Sequence, residues 1–513
     1  MMRPTLLAIG SLGILVAACR DTSGPTPRPT PPAAARTDAG EHKRSENEPA
    51  WWNKYQFLLR YGQTKGSELT LSQLVGQNVD VSNECAAQSE TFIALNPGRP
   101  DQLTAGSNEI FRLPQRAYFS SDDGSSWGGV DVPLPTSPFG PNDQRFASDP
   151  TLAYDTRGNV YYGFIVVFLS PAFTAIKGTE LAVARSSDGG ASWPLVAEFS
   201  TQGGESHFND KPMLTVDQNT ASPFRDRVYV AWDAASGGSP KGGIRVAYSG
   251  DFGLSYHTTR ADDARGPGTG IGADPFVAPN GDVYVAWNDY ARNVIAVNRS
   301  VDGGVTWGRQ RAIAAKTLPF AIDIPAQFSR GALVYPACDA DRSEGSHHGR
   351  LYCTWMDLNQ AGHTQILLSY SDDDGSSWSS PAPVGHQQAG TDRFNHWFSV
   401  DPVSGDVTVA YYDATGFVTD YWLSRSLDGS ATWAPDVRVS TESSNEHDCD
   451  GVFPCESIDY GNQYGDYEGL ASFGGHSHPI WTDSRRNTVR AGDPDCAFGF
   501  GLMEEVFTAG VIQ

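Results

Sequence analysis

The feature that most constrains the fold of this chain is an eight-residue motif that occurs six times. Each copy has a Ser, an Asp two residues later and an aromatic residue at its end, and all but one have Gly two residues after the Asp. The copies occupy residues 120–127, 186–193, 249–256, 300–307, 371–378 and 426–433. An Asp carboxylate can accept a backbone N–H bond from two residues on, and Gly adopts positive φ at little cost. Each copy follows an alternating apolar run, so the motif predicts a tight turn between two strands.

A second pattern recurs seven times, at a spacing of about 60 residues. An acidic or polar residue opens a strand, a turn follows, and a second strand ends in an aromatic residue and Asp. Seven such units predict an all-β propeller of seven four-stranded blades, with six blades as the alternative. The chain ends at the third strand of the last unit, so residues 78–82 are predicted to supply its fourth strand and close the ring. Closure removes the open sheet edges that otherwise aggregate.

The eight-residue motif resembles the Asp-box (BNR) repeat of the sialidase-like β-propellers. The resemblance implies that the turns lie on the rim away from any active site and that their acids are structural. These acids are Asp122, Asp188, Asp251, Asp302, Asp373 and Asp428.

The charge and the motif content exclude several classes of function. The 513 residues carry a formal net charge of −23, which disfavours nucleic acid as a partner. Glycine-rich phosphate-binding or dinucleotide-binding motifs and paired CxxC zinc motifs are absent from the sequence. We expect a monomer without a cofactor, leave a structural calcium and any other metal open, and expect an extracellular glycan or surface protein as partner.

The N-terminus predicts export and anchoring. An apolar run at residues 6–16 is too short to span a bilayer and ends in Val-Ala-Ala-Cys. This ending resembles the lipobox of bacterial lipoproteins and implies lipidation of Cys19, with an ordinary secretory signal as the alternative. The predicted organisation is a signal peptide at 1–19, a Pro/Thr/Ala-rich tether at 20–50, an extension at 51–77 and the propeller at 78–513. The protein is then held in the cell envelope, facing the periplasm or the outside, with the lipid as its only membrane contact.

Two further expectations concern the extension and the cysteines. A short amphipathic helix at 51–62 is predicted to pack Trp51, Phe57 and Leu58 against the propeller. With Cys19 lipidated, six cysteines remain for disulfides in an oxidising compartment. The expected pairs are Cys338 with Cys353 on adjacent strands, Cys449 with Cys455 around one loop, and Cys85 with Cys496; a metal site is the rival, although the spacing does not suit zinc.

The end of the propeller opposite the motif turns is predicted to form an acidic mouth. Acids that open inner strands are Glu90, Asp149, Asp210, Asp274 and Asp466, and acids that end second strands are Asp233, Asp289, Asp357, Asp413 and Asp483. A reaction needs one acid and one nucleophile, so most of these recurring acids are expected to bond backbone N–H groups between blades. The functional candidates are mouth residues outside the repeat, namely Arg145, Glu205, His207, Arg330, Arg393, His396, Trp397, Tyr464, Tyr467, Glu468 and Arg485.

The resemblance assigns roles to some of these candidates. It implies an arginine triad for a sugar carboxylate, for which Arg330, Arg393 and Arg485 are available on mouth loops. It also implies Tyr467 and Glu468 as nucleophile and base with Asp149 as acid, while Arg145, His396 and Trp397 are further substrate-binding candidates. Neighbours on a strand point to opposite faces, so Tyr464 or a distant Glu is an alternative partner.

The Arg-Ile-Pro signature of the sialidases is out of place, since its nearest match, residues 111–114, lies one strand too late. Two functions therefore stay open. The first is non-catalytic binding of glycans or protein partners through the acidic mouth. The second is retaining exo-sialidase-like glycoside hydrolysis.

Overall fold

The computed structural model describes residues 51–52, 54–55, 78–82, 87–110, 112–205, 208–234, 243–263, 268–327, 331–447, 464–485 and 504–512. These residues all belong to the compact unit 42–513. The predictions for residues 1–50, Phe57, Leu58, His207 and Arg330 lie outside the described residues, as do those for Cys85, Cys449, Cys455 and Cys496. In the described part, no helix has the length and apolarity that crossing a membrane requires.

The first three blades are antiparallel meanders of four consecutive strands. Blade 1, which follows the two-residue strand β1 (Val79–Asp80), contains β2 (Gln88–Asn96), β3 (Arg99–Glu109), β4 (Arg116–Ser120) and β5 (Gly128–Asp131). Blade 2 contains β6 (Gln144–Tyr154), β7 (Val160–Leu169), β8 (Ile176–Ser186) and β9 (Leu195–Gly203). Blade 3 contains β10 (Asn209–Val216), β11 (Val228–Ala234), β12 (Gly243–Ser249) and β13 (His257–Arg260).

Blades 4 to 6 repeat this arrangement, with a hairpin inserted between blades 4 and 5. Blade 4 contains β14 (Gly270–Val277), β15 (Val283–Asp289), β16 (Val294–Ser300) and β17 (Arg311–Ala315). The hairpin contains β18 (Ala321–Ile322) and β19 (Ala332–Leu333). Blade 5 contains β20 (Ala337–Ala340), β21 (Leu351–Leu358), β22 (Thr364–Ser371) and β23 (Ala382–Pro383). Blade 6 contains β24 (Asp392–Val400), β25 (Val407–Thr415), β26 (Val418–Ser426) and β27 (Val437–Arg438).

Blade 7 combines strands from the beginning and the end of the propeller sequence. It contains β28 (Gly469–Phe473), β29 (His476–Asp483) and β30 (Glu505–Thr508), with β31 (Val511–Ile512) also paired to β29. Its fourth strand is β1, in which Val79 pairs with Thr508 and Asp80 with Phe507. The inner strands β28 and β2 contact each other and complete the ring. Seven blades and closure by an N-terminal strand are therefore confirmed.

The second strands of the blades form the apolar interior of the ring. The strands β7, β11 and β15 are buried along their whole lengths, because neighbouring blades cover both faces of each sheet. Large indole rings at the recurring aromatic position are each at most 1% exposed, and these are Trp232, Trp287, Trp355 and Trp481. The repeated aromatic residue of the sequence therefore marks the packing between blades.

The six motif turns, called the Asp turns here, join the third and fourth strands of blades 1 to 6. In the first, the Ser126 N–H donates to Asp122 Oδ1 over 2.9 Å and the Ser126 hydroxyl donates to Asp122 Oδ2 over 2.6 Å. The Gly124 N–H donates to the Ser120 hydroxyl over 3.0 Å. The expectation that the carboxylate bonds a residue two positions on was wrong, because two left-handed residues after the Asp turn the fourth residue back onto it. That fourth residue is Ser or Thr in every copy, a signal that the motif analysis missed.

The electrostatics of the Asp turns fit a structural role. The pKa of Asp373 is held at about 2, first by the Ser377 hydroxyl, then by the Ser377 N–H and then by the Ser371 hydroxyl. Each strand reverses direction, so the Asp turns lie at the same end as the connections between first and second strands. That end is the lower rim, and the starts of the inner strands lie at the upper end.

Two local predictions are confirmed. Cys338 and Cys353 lie opposite each other on β20 and β21 and form a disulfide, with Cα atoms 4.1 Å apart. Trp51, in a helical segment, is fully buried and packs edge-on against Phe208 at a centroid distance of 5.3 Å. Lys54 follows in the same segment and donates from Nζ to the carbonyl of Ala147 over 2.8 Å.

Candidate functional site

The inner strands of five blades are bulged near their upper ends. Each of these inner strands pairs with the second strand of its own blade, and the register of that pairing shifts between two residues that are three positions apart. The strands are β2, β6, β10, β14 and β24. Each shift contains a residue with left-handed backbone, and these residues are Glu90 (φ 52), Asp149 (φ 58), Lys211 (φ 42), Gly272 (φ 68) and Asn395 (φ 43). Left-handed backbone is costly for residues other than Gly and concentrates at functional sites. The upper end of the axis is therefore the place to look for function.

Lys211 lies at the centre of this region. Its Nζ is 4.4 Å from the ring centroid of Tyr335, 4.4 Å from that of Tyr467 and 5.8 Å from that of Trp397. These aromatic residues belong to blades 5, 7 and 6 or to the segments leading into them, so one lysine from blade 3 reaches across the ring. Lysine side chains over aromatic faces are stabilised by the ring quadrupole. We call Lys211, Tyr335, Trp397 and Tyr467, with the carboxylates of Glu90, Asp149, Asp274 and Asp466, the axial cluster.

The ionisable groups of the axial cluster are buried, and burial shifts their pKa values. Burial lowers the pKa of the Lys211 ammonium, and the four carboxylates, Asp274 foremost, act in the opposite direction. Burial likewise raises the pKa of Asp274, against the hydrogen bond from the Cys338 N–H and the charge of Lys211. The two groups are coupled, since each stabilises the charged form of the other. Perturbed and coupled titrating groups of this kind are typical of functional sites.

The acids of the cluster do not share one position in the repeat. Glu90 and Asp149 are themselves the left-handed residues, whereas Asp274 lies two residues after Gly272 and Asp466 directly follows the left-handed Gly465. The interpretation of these acids as equivalent openings of inner strands was therefore wrong, because the bulges shift the register between blades. The expected bonds between blades are confirmed for two of them. Asp149 accepts from the Lys211 N–H over 3.3 Å and Asp274 from the Cys338 N–H over 2.6 Å.

The acids that end second strands differ in their partners. Asp357 accepts from the backbone N–H groups of Thr317 and Leu318 and so holds the segment after blade 4. Asp483 accepts from the indole N–H of Trp481 and from Arg485. These acids fix loops at the upper end.

Trp397 and His396 lie beside Lys211, as expected for mouth residues. Trp397 packs against Phe92 at a centroid distance of 5.1 Å and is 8% exposed. Burial lowers the pKa of His396 to about 4, partly offset by a hydrogen bond with the Thr354 backbone, so its ring is neutral at pH 7. The His396 Nε2 has no hydrogen-bond partner among the described residues.

Tyr467 and Glu468 are not partners. The Tyr467 hydroxyl donates to the Pro150 carbonyl over 2.9 Å, and burial raises its pKa well above the ordinary value. Glu468 instead accepts from the Tyr412 hydroxyl over 2.6 Å and from the Thr91 N–H over 3.3 Å. Both residues lie just before β28 rather than on it, and they bond to different blades.

The partner of Glu468 is neither Tyr464 nor a residue among the sequence candidates. Tyr464 packs its ring against Tyr412 at a centroid distance of 4.6 Å. Burial raises the pKa of Glu468 to about 8, against the hydrogen bonds from Thr91 and Tyr412, so a proton is held between blades 1, 6 and 7. Tyr412 was missed because it is the residue between the recurring aromatic Tyr411 and Asp413, a position that varies between blades and that the sequence analysis did not consider.

The two triad arginines that the structure describes, Arg393 and Arg485, do not converge on the axis. Arg393 lies on β24 rather than on an exposed loop, is 2% exposed, and donates to Asp413 and Asp436 over 2.8 Å each. Arg485 donates to Asp483 over 2.6 Å and to Asn78 over 3.0 Å. The placement of Arg393 on an open mouth loop was therefore wrong, because two buried carboxylates hold it inside blade 6.

Of the remaining candidates, Arg145 and Glu205 lie in the described part of the chain. Arg145 lies on β6 opposite Phe168, and its Nε has no hydrogen-bond partner in the described part of the chain. Glu205 is exposed and its charge contributes to raising the pKa of Tyr55 after burial. Arg330 falls between the described ends of the hairpin segment.

The segment inserted between blades 4 and 5 is bonded to blade 7 beside the cluster. Gln327 donates from Nε2 to the Gly465 carbonyl over 3.2 Å, and Gly465 precedes Asp466. The Pro325 carbonyl lies 2.9 Å from the His447 Nε2. Ile324 and Ala326 of the insertion are buried.

The described residues contain no group of three or more His, Cys, Asp or Glu side chains placed to hold a metal ion. Carboxylates of the axial cluster are instead arranged around an ammonium group. The arrangement can bind polar groups, stack on flat apolar surfaces and exchange protons between Asp274 and a ligand.

Comparisons with known proteins give a likeness of architecture. No protein-family profile matches the chain, and no curated protein matches it. Similar solved structures include the intramolecular trans-sialidase from Ruminococcus gnavus in complex with oseltamivir carboxylate, at 13% identity, with 62% of this chain and 89% of that chain covered and a TM-score of 0.43. The leech intramolecular trans-sialidase matches at 13% identity, 75% and 71% coverage and a TM-score of 0.44. A sialidase from Streptococcus pneumoniae matches at 11% identity, 72% and 70% coverage and a TM-score of 0.46. The assignment of seven blades rests on the strand pairing of this chain itself.

Proposed function

We propose that this propeller binds an extracellular glycan at the axial cluster, while lipidation at Cys19 anchors it in the cell envelope. The observation that carries the proposal is the convergence of three aromatic rings and four carboxylates at one end of the axis. Sugar rings stack their apolar faces on aromatic side chains, and carboxylates accept hydrogen bonds from sugar hydroxyls. Sites with apolar walls and a few converging polar groups are typical of ligand binding.

The residual exposure of the cluster suggests the side of approach. Trp397, His396 and Asp274 are 8%, 6% and 6% exposed, whereas Glu90 and Asp149 are at most 1% exposed. A glycan would then enter over blades 4 to 6. Trp397 offers it a ring face.

Glycoside hydrolysis at the same cluster is the second candidate function. Burial raises the pKa of Asp274, so this carboxyl keeps its proton at higher pH than an exposed acid does. A protonated carboxyl next to ionised ones is the arrangement by which glycosidases donate a proton to a leaving group. The sialidase-like form of the reaction is less favoured, because Arg393 and Arg485 are engaged in ion pairs and the Tyr467 hydroxyl donates to a backbone carbonyl.

The test is a glycan array with neutral, uronic and sialylated oligosaccharides, probed with the full chain. We expect binding of a subset, weakened about tenfold by Trp397→Leu and unchanged by Asp302→Ala on the lower rim. Absence of binding, or equal binding by Trp397→Leu and the wild type at equal folded fraction, would refute the proposal. Fluorogenic sialosides and neutral glycosides then separate the two candidates. Turnover that Asp274→Asn abolishes without loss of binding establishes hydrolysis.

A further inference from the structure

A second cavity lies at the lower rim, at the end of the propeller opposite the axial cluster. Its volume is about 300 Å³, and it lies in the groove between blades 4 and 5. Tyr284, Arg299 and Arg311 line it from blade 4, and Asp374 and Ser376 from the Asp turn of blade 5. The cavity is at the lower end of the size range of ligand sites.

The residue before the second strand differs between blade 4 and the blades on either side of it. In blade 3, Arg227 precedes the second strand and donates across the groove to the Gly303 carbonyl of the next Asp turn, over 2.7 Å. In blade 5, Arg350 holds the same position and donates to the Gly429 carbonyl over 3.0 Å. Blade 4 has Asp282 at this position, one residue before β15.

Asp282 pairs with an arginine that itself reaches the next blade. Arg299 donates from Nε to Asp282 over 2.8 Å and lies 3.3 Å from the Asp374 carboxylate in the Asp turn of blade 5. Its charge is therefore matched by two acids of the protein. The cavity lies beside this ion-paired arginine, between blades 4 and 5.

The lining combines an aromatic face with unmatched positive charge. Trp307 is partly buried, and its indole N–H donates to the Thr259 hydroxyl over 2.9 Å, which fixes the ring. Arg309 and Arg311 are exposed, and neither forms an ion pair with a carboxylate in the described part of the chain. Arg311 is positioned by donation from Nη1 to the Ser376 carbonyl over 2.9 Å. The Tyr284 hydroxyl is buried without a hydrogen-bond partner among the described residues.

The pairing of an indole ring with two arginines contrasts with the net charge of the whole chain, which is −23. Two free guanidinium groups at one edge favour a carboxylate, because the arginine fork matches its two oxygens. A fixed indole ring favours a flat apolar surface, which a pyranose ring provides. We propose that the cavity binds an acidic sugar unit of a saccharide, with the sugar ring against Trp307 and its carboxylate at Arg309 and Arg311.

The site is independent of the axial cluster, so its test does not depend on the function proposed there. Isothermal titration calorimetry of the full chain with trigalacturonate should give saturable binding. Neutral galactotriose and sulfate should bind about tenfold more weakly or not at all. Arg309→Ala and Arg311→Ala should each weaken trigalacturonate binding about tenfold, because each removes one charge-assisted contact.

Two variants sharpen the test. Asp282→Arg places at this position the side chain that crosses the groove from blades 3 and 5, so it should fill the cavity and abolish binding. Arg225→Ala, an exposed arginine on the same rim outside the cavity, is the matched control and should bind as the wild type does. Equal binding by Arg309→Ala and the wild type, or an equal loss in Arg225→Ala, would overturn the proposal. Equal affinity for sulfate or galactotriose would overturn the assignment to an acidic sugar. Trp397→Leu should leave this binding unchanged.

Discussion

The Lys211 ammonium nitrogen lies 4.4 Å from the ring centroid of Tyr467, although the two residues belong to blades 3 and 7 of the ring. The contact crosses the axis, and the carboxylates of four other positions surround it. A single side chain therefore links inner strands that the sheet hydrogen bonds leave separate.

Replacing Lys211 should destabilise the whole ring. Lys211→Met removes the cation around which the buried acids are arranged, and breaking such a pairing costs about 3–5 kcal/mol in the free energy of unfolding. Denaturant unfolding of the variant measures the loss. Lys177→Met, on the exposed face of β8, is the control and should cost no more than about 0.5 kcal/mol. Adding Asp274→Asn to Lys211→Met should recover part of the loss, and failure to do so would contradict the coupling.

His396 should make the fold sensitive to acid. Burial lowers its folded-state pKa to about 4, whereas its ordinary value is 6.5. Between these values the unfolded chain binds the proton and the folded chain does not, so stability rises with pH across this window and is lost as pH falls. The free energy of unfolding should decrease by about 3 kcal/mol from pH 7 to pH 4 through this group.

The measurement is urea unfolding at several pH values for the wild type and His396→Gln. The free energy of unfolding of His396→Gln should lack the part of the pH dependence that His396 contributes. Asp373 does not interfere, because its pKa of about 2 confines its contribution to more acidic solution. Identical slopes for the two proteins would show that His396 has the same pKa in the folded and unfolded chains, which would contradict the prediction.

Arg393→Ala should destabilise the protein rather than spare it, contrary to a purely ligand-binding role. The change leaves the Asp413 and Asp436 carboxylates buried without their shared cation, at a cost of about 3–5 kcal/mol. Thermal melting compares it with Arg438→Ala, whose ion pair with Asp420 is partly exposed and should matter little. A variant that melts like the wild type but no longer binds glycan would restore Arg393 to the binding site.

Ser430→Gly should stabilise blade 6. Ser430 has φ 71 in an Asp turn where the five other copies have Gly with positive φ at the same place, and its hydroxyl has no partner among the described residues. Removing the Cβ should add about 0.5–1 kcal/mol to the free energy of unfolding after the entropic cost of Gly. The reverse change, Gly375→Ser at φ 75, should lower the melting temperature. Equal melting of all three proteins would contradict the argument.

Asn78→Ala should loosen the closing strand. The Asn78 side chain donates to the Val439 carbonyl over 2.8 Å and accepts from the Thr441 N–H over 2.7 Å and from Arg485 over 3.0 Å. These bonds hold β1 against blade 6, so their loss should expose the edge of β30. Hydrogen exchange of residues 505–508 should accelerate while that of β15 stays unchanged. Uniform acceleration would indicate global unfolding instead.

The order and number of the blades could be predicted from the sequence, because the residues of both repeats form turns and strands through contacts with residues close in the chain. The Ser, Asp and Gly of each Asp turn bond within eight residues, and the recurring Trp and Asp mark second strands whatever lies around them. The closing strand at 78–82 followed from counting strands, and the bond between Cys338 and Cys353 from their places on adjacent strands. These inferences need the period of the pattern and no knowledge of distant contacts.

The sequence analysis placed the acids, Trp397 and Tyr467 of the axial cluster at the mouth, but only the tertiary structure showed that they surround Lys211. Lys211 belongs to a repeat of which the sequence analysis considered only the acidic residues. Nothing in the neighbouring sequence indicates that its side chain crosses the ring to Tyr467. The bulges that shift the register of inner strands, and the two acids that hold Arg393 inside blade 6, likewise depend on chain segments far apart in sequence. Motifs predict turns and strands because their hydrogen bonds are short in sequence. The charges on the axis depend on how seven strands meet, which only the closed ring determines.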